Sequence, residues 1–321
     1  MIARMPTSVV TGGAGFLGTR LIQSLLTGAS GAAPSRVICV DQVSSAIPDS
    51  RVVSVIGSVA DAGVVRAAVP SDITTIWHLA AVLSGQSEAE PDLAMAVNVG
   101  GTQALLDACR TAAHPPRFVF SSTIAVFGGP LPAVVPEDHA LRPASTYGTT
   151  KAMAELLVLE ATRRGLVEGI ACRLPTVSVR PGRPNSAMSS FVSGIVREPL
   201  AGIESVCPVP LDTRLWVSSP TITTENLAHA GRLPAAMLQG IRTINLPGIC
   251  VTPAQLLDSL ERAAGAAVRS LVRLEPDARI AAIVEGWPGA FDASRALRLG
   301  FSADRDADAL VTQFIADRAT T

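Results

Sequence analysis

A short apolar run, Ser8-Val-Val-Thr11, passes directly into Gly12-Gly-Ala-Gly15-Phe-Leu-Gly18, and from Thr19 to Leu26 the apolar spacing becomes helical. A strand that turns through spaced glycines into a helix has few folds open to it. Glycines at 12, 15 and 18 permit a tight turn and let backbone come close to a pyrophosphate, with the helix N-terminus as the anion seat. Asp41 ends the next strand-like run, Arg36-Val-Ile-Cys-Val-Asp41, 23 residues beyond Gly18. That offset is near the ~20 residues expected of an acid that accepts hydrogen bonds from ribose hydroxyls. A carboxylate there repels a 2′-phosphate, so the pattern predicts NAD rather than NADP.

The rest of the first half repeats the alternation. Val52 to Ile56 reads as a strand ending at Gly57-Ser58-Val59-Ala60-Asp61, and a helix is expected from Asp61 to Val69. Thr74 to Ala81 reads as another strand; small Ala80 and Ala81 at its end let a flat ring lie close, with Ser84 just beyond. Asn98 to Cys109 has helical spacing, and Arg117-Phe-Val-Phe-Ser-Ser-Thr123 is a strand opening into hydroxyls. A Gly/Pro-rich loop follows to Pro136, and Gly169 to Pro175 reads as a further strand. Strands alternating with helices predict an α/β fold, a doubly wound parallel sheet of the Rossmann type covered on both faces. Ligands then sit at the carboxyl ends of the strands. One cleft is expected to collect Gly12–Gly18, Asp41, Ala80–Ser84, Ser121–Thr123 and Pro175–Thr176. Residues 1–176 are expected to form this domain and 177–321 a smaller substrate lobe, with a discontinuous boundary and helices near Pro253–Ala264 and Asp306–Ala319.

Tyr147 is the one tyrosine of the chain, and Lys151 the one lysine among 26 Lys+Arg. Four apart on a helix, they share a face one turn from each other. A phenol titrates near ~10 and is a poor base at neutral pH. An ammonium fixed beside it favours the phenolate. Lysine supplies a compact point charge where arginine would present a broad fork. The pair therefore reads as a general base and its activator.

Composition removes other classes. The chain is 48% hydrophobic and 17% charged, with formal net charge −1, so nothing marks a nucleic-acid surface. Its five cysteines are far apart without Cys-x-x-Cys, and its four histidines are scattered. That fits reduced thiols and predicts neither disulfides nor a metal site. The glycine turn follows the N-terminus too closely for a signal-peptide apolar region, and no long apolar stretch spans a membrane. A cytoplasmic location is expected.

Taken together, Thr11-Gly-Gly-Ala-Gly-Phe-Leu-Gly18, His78-Leu-Ala-Ala81, Asn98-Val-Gly-Gly-Thr102, Ser121-Ser-Thr123 and Tyr147-Gly-Thr-Thr-Lys151 resemble the extended short-chain dehydrogenases/reductases, the NAD-dependent epimerase/dehydratase family. Within it the chain resembles the D-erythronate dehydrogenases, through Ser122 to Pro130, Arg173 to Gly182, Asp212 to Pro220 and Glu285 to Gly289. The resemblance makes Tyr147 the base, Lys151 its activator and a nicotinamide-ribose ligand, and Thr123 or Ser122 the hydroxyl that holds the substrate oxygen. It extends the cofactor site to Phe16, Leu17, Val59, Leu79 and Asn98, whose role is cofactor-facing or structural. Ser58 stands where family members often carry an acid near the adenine. A homodimer is implied by the resemblance alone.

For a substrate the second lobe offers Arg183, Asn185, Ser190, Arg214 and Trp216 beside Ser84. An arginine matches a carboxylate through two oxygens. The expected reaction is NAD-dependent oxidation of the 2-hydroxyl of a small sugar acid to the 2-oxo acid. A nucleotide-sugar epimerase or dehydratase, and a non-catalytic NAD-sensing module, stay open as other readings.

Overall fold

The computed structural model describes residues 6–28, 33–182 and 189–319. The strands in chain order are β1 (Thr7–Thr11), β2 (Arg36–Asp41), β3 (Val52–Ile56), β4 (Ile73–His78), β5 (Arg117–Thr123) and β6 (Glu168–Leu174). Shorter ones follow: β7 (Thr176–Val177), β8 (Ser205–Cys207), β9 (Leu215–Ser218), β10 (Thr243–Asn245), β11 (Ile249–Val251) and β12 (Val272–Leu274). Helices of the first half are α1 (Phe16–Thr27), α2 (Ala62–Ala68), α3 (Ser84–Ala89), α4 (Pro91–Ala94), α5 (Gly101–Ala108) and α6 (Thr146–Arg163). Those of the second half are α7 (Ser190–Leu200), α8 (Pro220–Ala230), α9 (Pro253–Ala264), α10 (Ala266–Arg269), α11 (Ala278–Glu285), α12 (Ser294–Arg298) and α13 (Ala307–Ala319).

Two compact units emerge. The first takes residues up to Thr123, then Ser145–Arg173 and Thr224–Ile244. Its seven-stranded sheet has the order β10-β6-β5-β4-β1-β2-β3, and the neighbours from β3 through β5 pair in parallel. The order reverses at β1, flanked by β2 and β4, which opens the crevice of a Rossmann-type sheet at their carboxyl ends. Val9, Ile38, Ile76, Phe118 and Phe120 fill the core with Leu105, Leu106 and Val158 from the covering helices. Residues both of whose faces are covered need no polar alternation, which is why these strands read as apolar runs. The returning segment is tied in by buried donors. Trp77 Nε1 donates to the Leu227 carbonyl at 2.9 Å, and Arg117 Nη2 to that of Leu233 at 2.6 Å.

The second unit holds Ile124–Ala144, Leu174–Thr223 and residues from Asn245 onward. A three-stranded sheet, β11-β9-β7, and a parallel pair, β8 with β12, carry its own core of Val192, Ile195, Val217, Leu256, Leu260 and Phe314. Helix α9 starts on a capping box, Thr252 with Gln255, and on Pro253 at its first position. The helix expected from Asn98 begins instead as a π-helical turn, Met95–Gly100, before α5 continues regularly. Among the described residues no helix is long and apolar enough to cross a membrane.

Candidate active site

The glycine turn is built as its spacing requires. Gly12 has φ +67°, and a Cβ there would lie 2.8 Å from the Ala80 nitrogen. A Cβ on Gly18 would collide with the Gly12 carbonyl oxygen and sit 2.6 Å from Gly13 Cα. Helix α1 has Gly15 as its N-cap, with no side-chain cap and no acid in its first turn. Its leading amides, at Phe16, Leu17 and Gly18, are thus left for an anion, and the helix dipole favours one there. Asp41 stands beside the turn, its Oδ2 accepting from the Ala14 amide at 3.0 Å and its Oδ1 from that of Gln42 at 2.7 Å. This donor set and bare backbone fit a dinucleotide.

Ser58 closes a local turn: its Oγ accepts from the Ala60 amide at 3.2 Å and its carbonyl from Asp61, which caps α2. Val59 is buried against Gly101, where a Cβ would come within 2.6 Å of it. Past β4, Leu79 N–H donates to the Thr11 carbonyl and Ala80 N–H to the Thr11 hydroxyl, at 3.1 and 3.2 Å. Ala81 is half-buried, and Ser84 opens α3. Asn98, on the π-helical turn, is 1% exposed and fully occupied. Its Oδ1 accepts from Val82 N at 2.8 Å, and its Nδ2 donates to Val82 O at 3.2 Å and to Thr150 Oγ1 at 3.0 Å. These bonds tie the π-helical turn to the segment after β4 and to α6.

Helix α6 carries the Tyr-Lys pair. Ser145 caps its start by accepting from the Gly148 amide at 3.0 Å. Lys151, Glu155 and Val158 share its buried face, while Tyr147 is half-buried near the cap. Lys151 is 1% exposed, with Nζ 4.2 Å from the centre of the Phe120 ring. Burial pushes its pKa down to about 7, against the pull of Glu155 in the other direction. Glu155 is held by Arg173 from β6 and accepts from the Ser122 hydroxyl. The one proton of Ser122 is therefore committed to a buried carboxylate, while its neighbour Thr123 is half-buried at the strand end. Arg173 and Glu155 escaped the sequence reading, although a lone arginine inside a buried apolar strand implies a partner.

Three of the residues expected to meet the substrate are described in the second unit. Trp216 lies on β9, its ring 5.9 Å from that of Phe291 at 51°. It helps line a cavity of about 750 Å³ with Phe291, Asp292, Ser294 and Leu297. Arg214, exposed, points Nε at Cys250 Sγ at 3.4 Å and is not among those walls. Ser190 opens α7, Pro175 is buried, and Thr176 begins β7. Arg183 and Asn185 lie outside the described residues. All five cysteines are free, and among the described residues no His, Cys, Asp or Glu cluster has metal-site geometry.

Comparison with known proteins agrees with this geometry. The chain is 45% identical to a D-erythronate dehydrogenase of Cupriavidus necator over 96% of its own length and 98% of the relative's. It is 42% identical to one of Haemophilus influenzae, with the same coverage of both chains. A solved structure described as the nucleoside-diphosphate-sugar epimerase from Agrobacterium tumefaciens superposes with a TM-score of 0.92 at 35% identity, covering 98% of this chain and 95% of that one. Residues 8–212, which contain the glycine turn, Asp41 and the Tyr-Lys helix, match the NAD dependent epimerase/dehydratase family, and the chain belongs to it.

Proposed function

We propose that this protein oxidises the 2-hydroxyl of a small sugar acid of the D-erythronate type to the 2-oxo acid. The observation that carries the reading is near-full-length similarity to two D-erythronate dehydrogenases, in a chain whose sole tyrosine and sole lysine stand one helical turn apart. NAD, when bound, supplies the hydride acceptor. Gly12, Gly15, Phe16, Leu17 and Gly18 hold its pyrophosphate, and Asp41 its adenosine ribose. Ser58 and Val59 border the adenine, and Leu79, Ala80, Ala81, Pro175 and Thr176 flank the nicotinamide half.

Tyr147 takes the hydroxyl proton of the substrate. Lys151 favours the phenolate and contacts the nicotinamide ribose. With Ser122 committed to Glu155, Thr123 orients the substrate oxygen. Ser84, Ser190, Arg183, Asn185, Arg214 and Trp216 remain the candidates for the acid itself, an arginine taking the carboxylate. General-base catalysis of this kind contributes ~10²–10⁴-fold. We also infer a cytoplasmic homodimer, consistent with the exposed apolar side chains Met95, Met153 and Leu156 on the helices.

The test is purified protein with NAD and D-erythronate, read as NADH absorbance, beside a panel of short aldonates. Steady NADH formation is expected. A flat trace across the aldonates with turnover of a UDP- or dTDP-sugar would replace this reading by the epimerase or dehydratase one, which the Agrobacterium tumefaciens likeness keeps in view.

A further inference from the structure

His78 is fully buried at the end of β4, and the mechanism above does not use it. Its Nδ1 lies 2.7 Å from Thr11 Oγ1, and its Nε2 lies 2.9 Å from Thr102 Oγ1. Counting protons fixes the direction of both bonds. Thr102 Oγ1 is 2.6 Å from the Asn98 carbonyl, which only accepts, so the single hydroxyl proton of Thr102 goes there. His78 Nε2 must then carry a hydrogen and donate. Its Nδ1 is bare and accepts from the Thr11 hydroxyl, whose lone pairs are left for the Ala80 amide. Burial and the charge of Lys151 on α6 hold the ring neutral, with its pKa pushed down to about 3.

An unbroken, one-way chain results. It runs from Ala80 N–H through Thr11, His78 and Thr102 to the Asn98 carbonyl. The Asn98 amide then grips Val82 at both its N–H and its C=O and donates to Thr150, whose hydroxyl donates to the Tyr147 carbonyl at 3.0 Å. The segment from Ala80 to Val82 is thus pinned at both ends by groups that also hold the glycine-turn strand and the Tyr-Lys helix.

We infer that His78, as its neutral Nε2–H tautomer, is a positioning residue that keeps the Ala80–Val82 segment and the Tyr147 helix in one register. The inference rests on the roles given above to Ala80, Ala81 and Tyr147. The Nδ1–H tautomer would set two acceptors against each other at Thr102 and take from the Thr11 hydroxyl proton the acceptor it has in Nδ1, so one tautomer suits the network and the other does not.

The first test needs no substrate, so failure of the D-erythronate assignment leaves it standing. Long-range ¹H–¹⁵N correlation on ¹⁵N-histidine protein, with His78 assigned by its absence in His78→Asn, is expected to show the Nε2–H pattern from neutral pH down to about pH 4. In Thr102→Val the acceptor is gone, and the ring is expected to change to Nδ1–H. The second test is kinetic. Thr11→Val and Thr102→Val are each expected to weaken NAD binding or kcat roughly tenfold, with Thr102→Ser recovering most of the loss. Because either substitution breaks the same chain, the double variant should cost no more than the worse single. An Nδ1–H ring in the native protein, titration of His78 near its ordinary range, or kinetic penalties that add or are absent would overturn the inference.

Discussion

Arg173 grips Glu155 through both carboxylate oxygens, Nε 3.0 Å from Oε1 and Nη2 2.9 Å from Oε2, with the two side chains only 5% and 1% exposed. Removing one member of such a pair strands the other charge away from water. Arg173→Met is therefore expected to lose about 3–5 kcal/mol of stability by urea denaturation. Glu155→Gln with Arg173→Met, which removes both charges, should recover a substantial part of it.

The phenol is the group whose loss ought to be felt in chemistry alone. Tyr147→Phe keeps the ring and deletes the proton acceptor. Steady-state assays should show kcat lowered by ~10²–10⁴-fold, while calorimetry finds the NAD dissociation constant within a few-fold of native.

A rise in pH should act on both buried nitrogen groups in the same direction. Below pH 7 folded and unfolded chains both carry the Lys151 proton, and the folded one bears the whole cost of a buried ammonium. Between about 7 and 10.5 the unfolded chain keeps a proton the folded chain has released, so stability rises with pH there. Lys151→Met is expected to be inactive, yet more stable than the native chain below pH 7, with the gap closing as pH rises. His78 repeats the sign lower down, with a folded pKa of about 3 against 6.5, so its contribution falls as pH drops through that window. The slope for that one proton is about 1.4 kcal/mol per pH unit, and His78→Asn should lack it in denaturation series across this range.

At the glycine turn, Gly18→Ala drives a methyl into the Gly12 carbonyl. The turn must shift, and NAD binding is expected to be lost in calorimetry, together with a lower melting temperature.

What could be read in advance was what is local. The strand–glycine–helix passage, Asp41 at a strand end and Tyr147 one turn from Lys151 are written within a few residues of each other or at a fixed offset. The π-helical turn between Met95 and Gly100 was not legible, because a single widened turn has no residue signature that sets it apart from an ordinary helix start. The bond from the Ser122 hydroxyl to Glu155, 33 residues away, carries no sequence signal that would set Ser122 apart from Thr123. The Arg173–Glu155 pair and the Thr11–His78–Thr102 chain join strands and helices far apart in sequence, where spacing carries no signal.

The seventh strand of the Rossmann-type sheet has a practical corollary. Because β10 lies at its outer edge, and Leu227 and Leu233 accept from Trp77 and Arg117, a gene fragment stopping near codon 176 would omit material the N-terminal half requires. Such a fragment would leave β6 as a raw, unpaired border, with the Trp77 indole stripped of its acceptor and Arg117 left to Glu168 without the Leu233 carbonyl. The nucleotide-binding half is thus not severable as a leading piece of the gene, and any split or fusion design must carry residues 224–244 along with it.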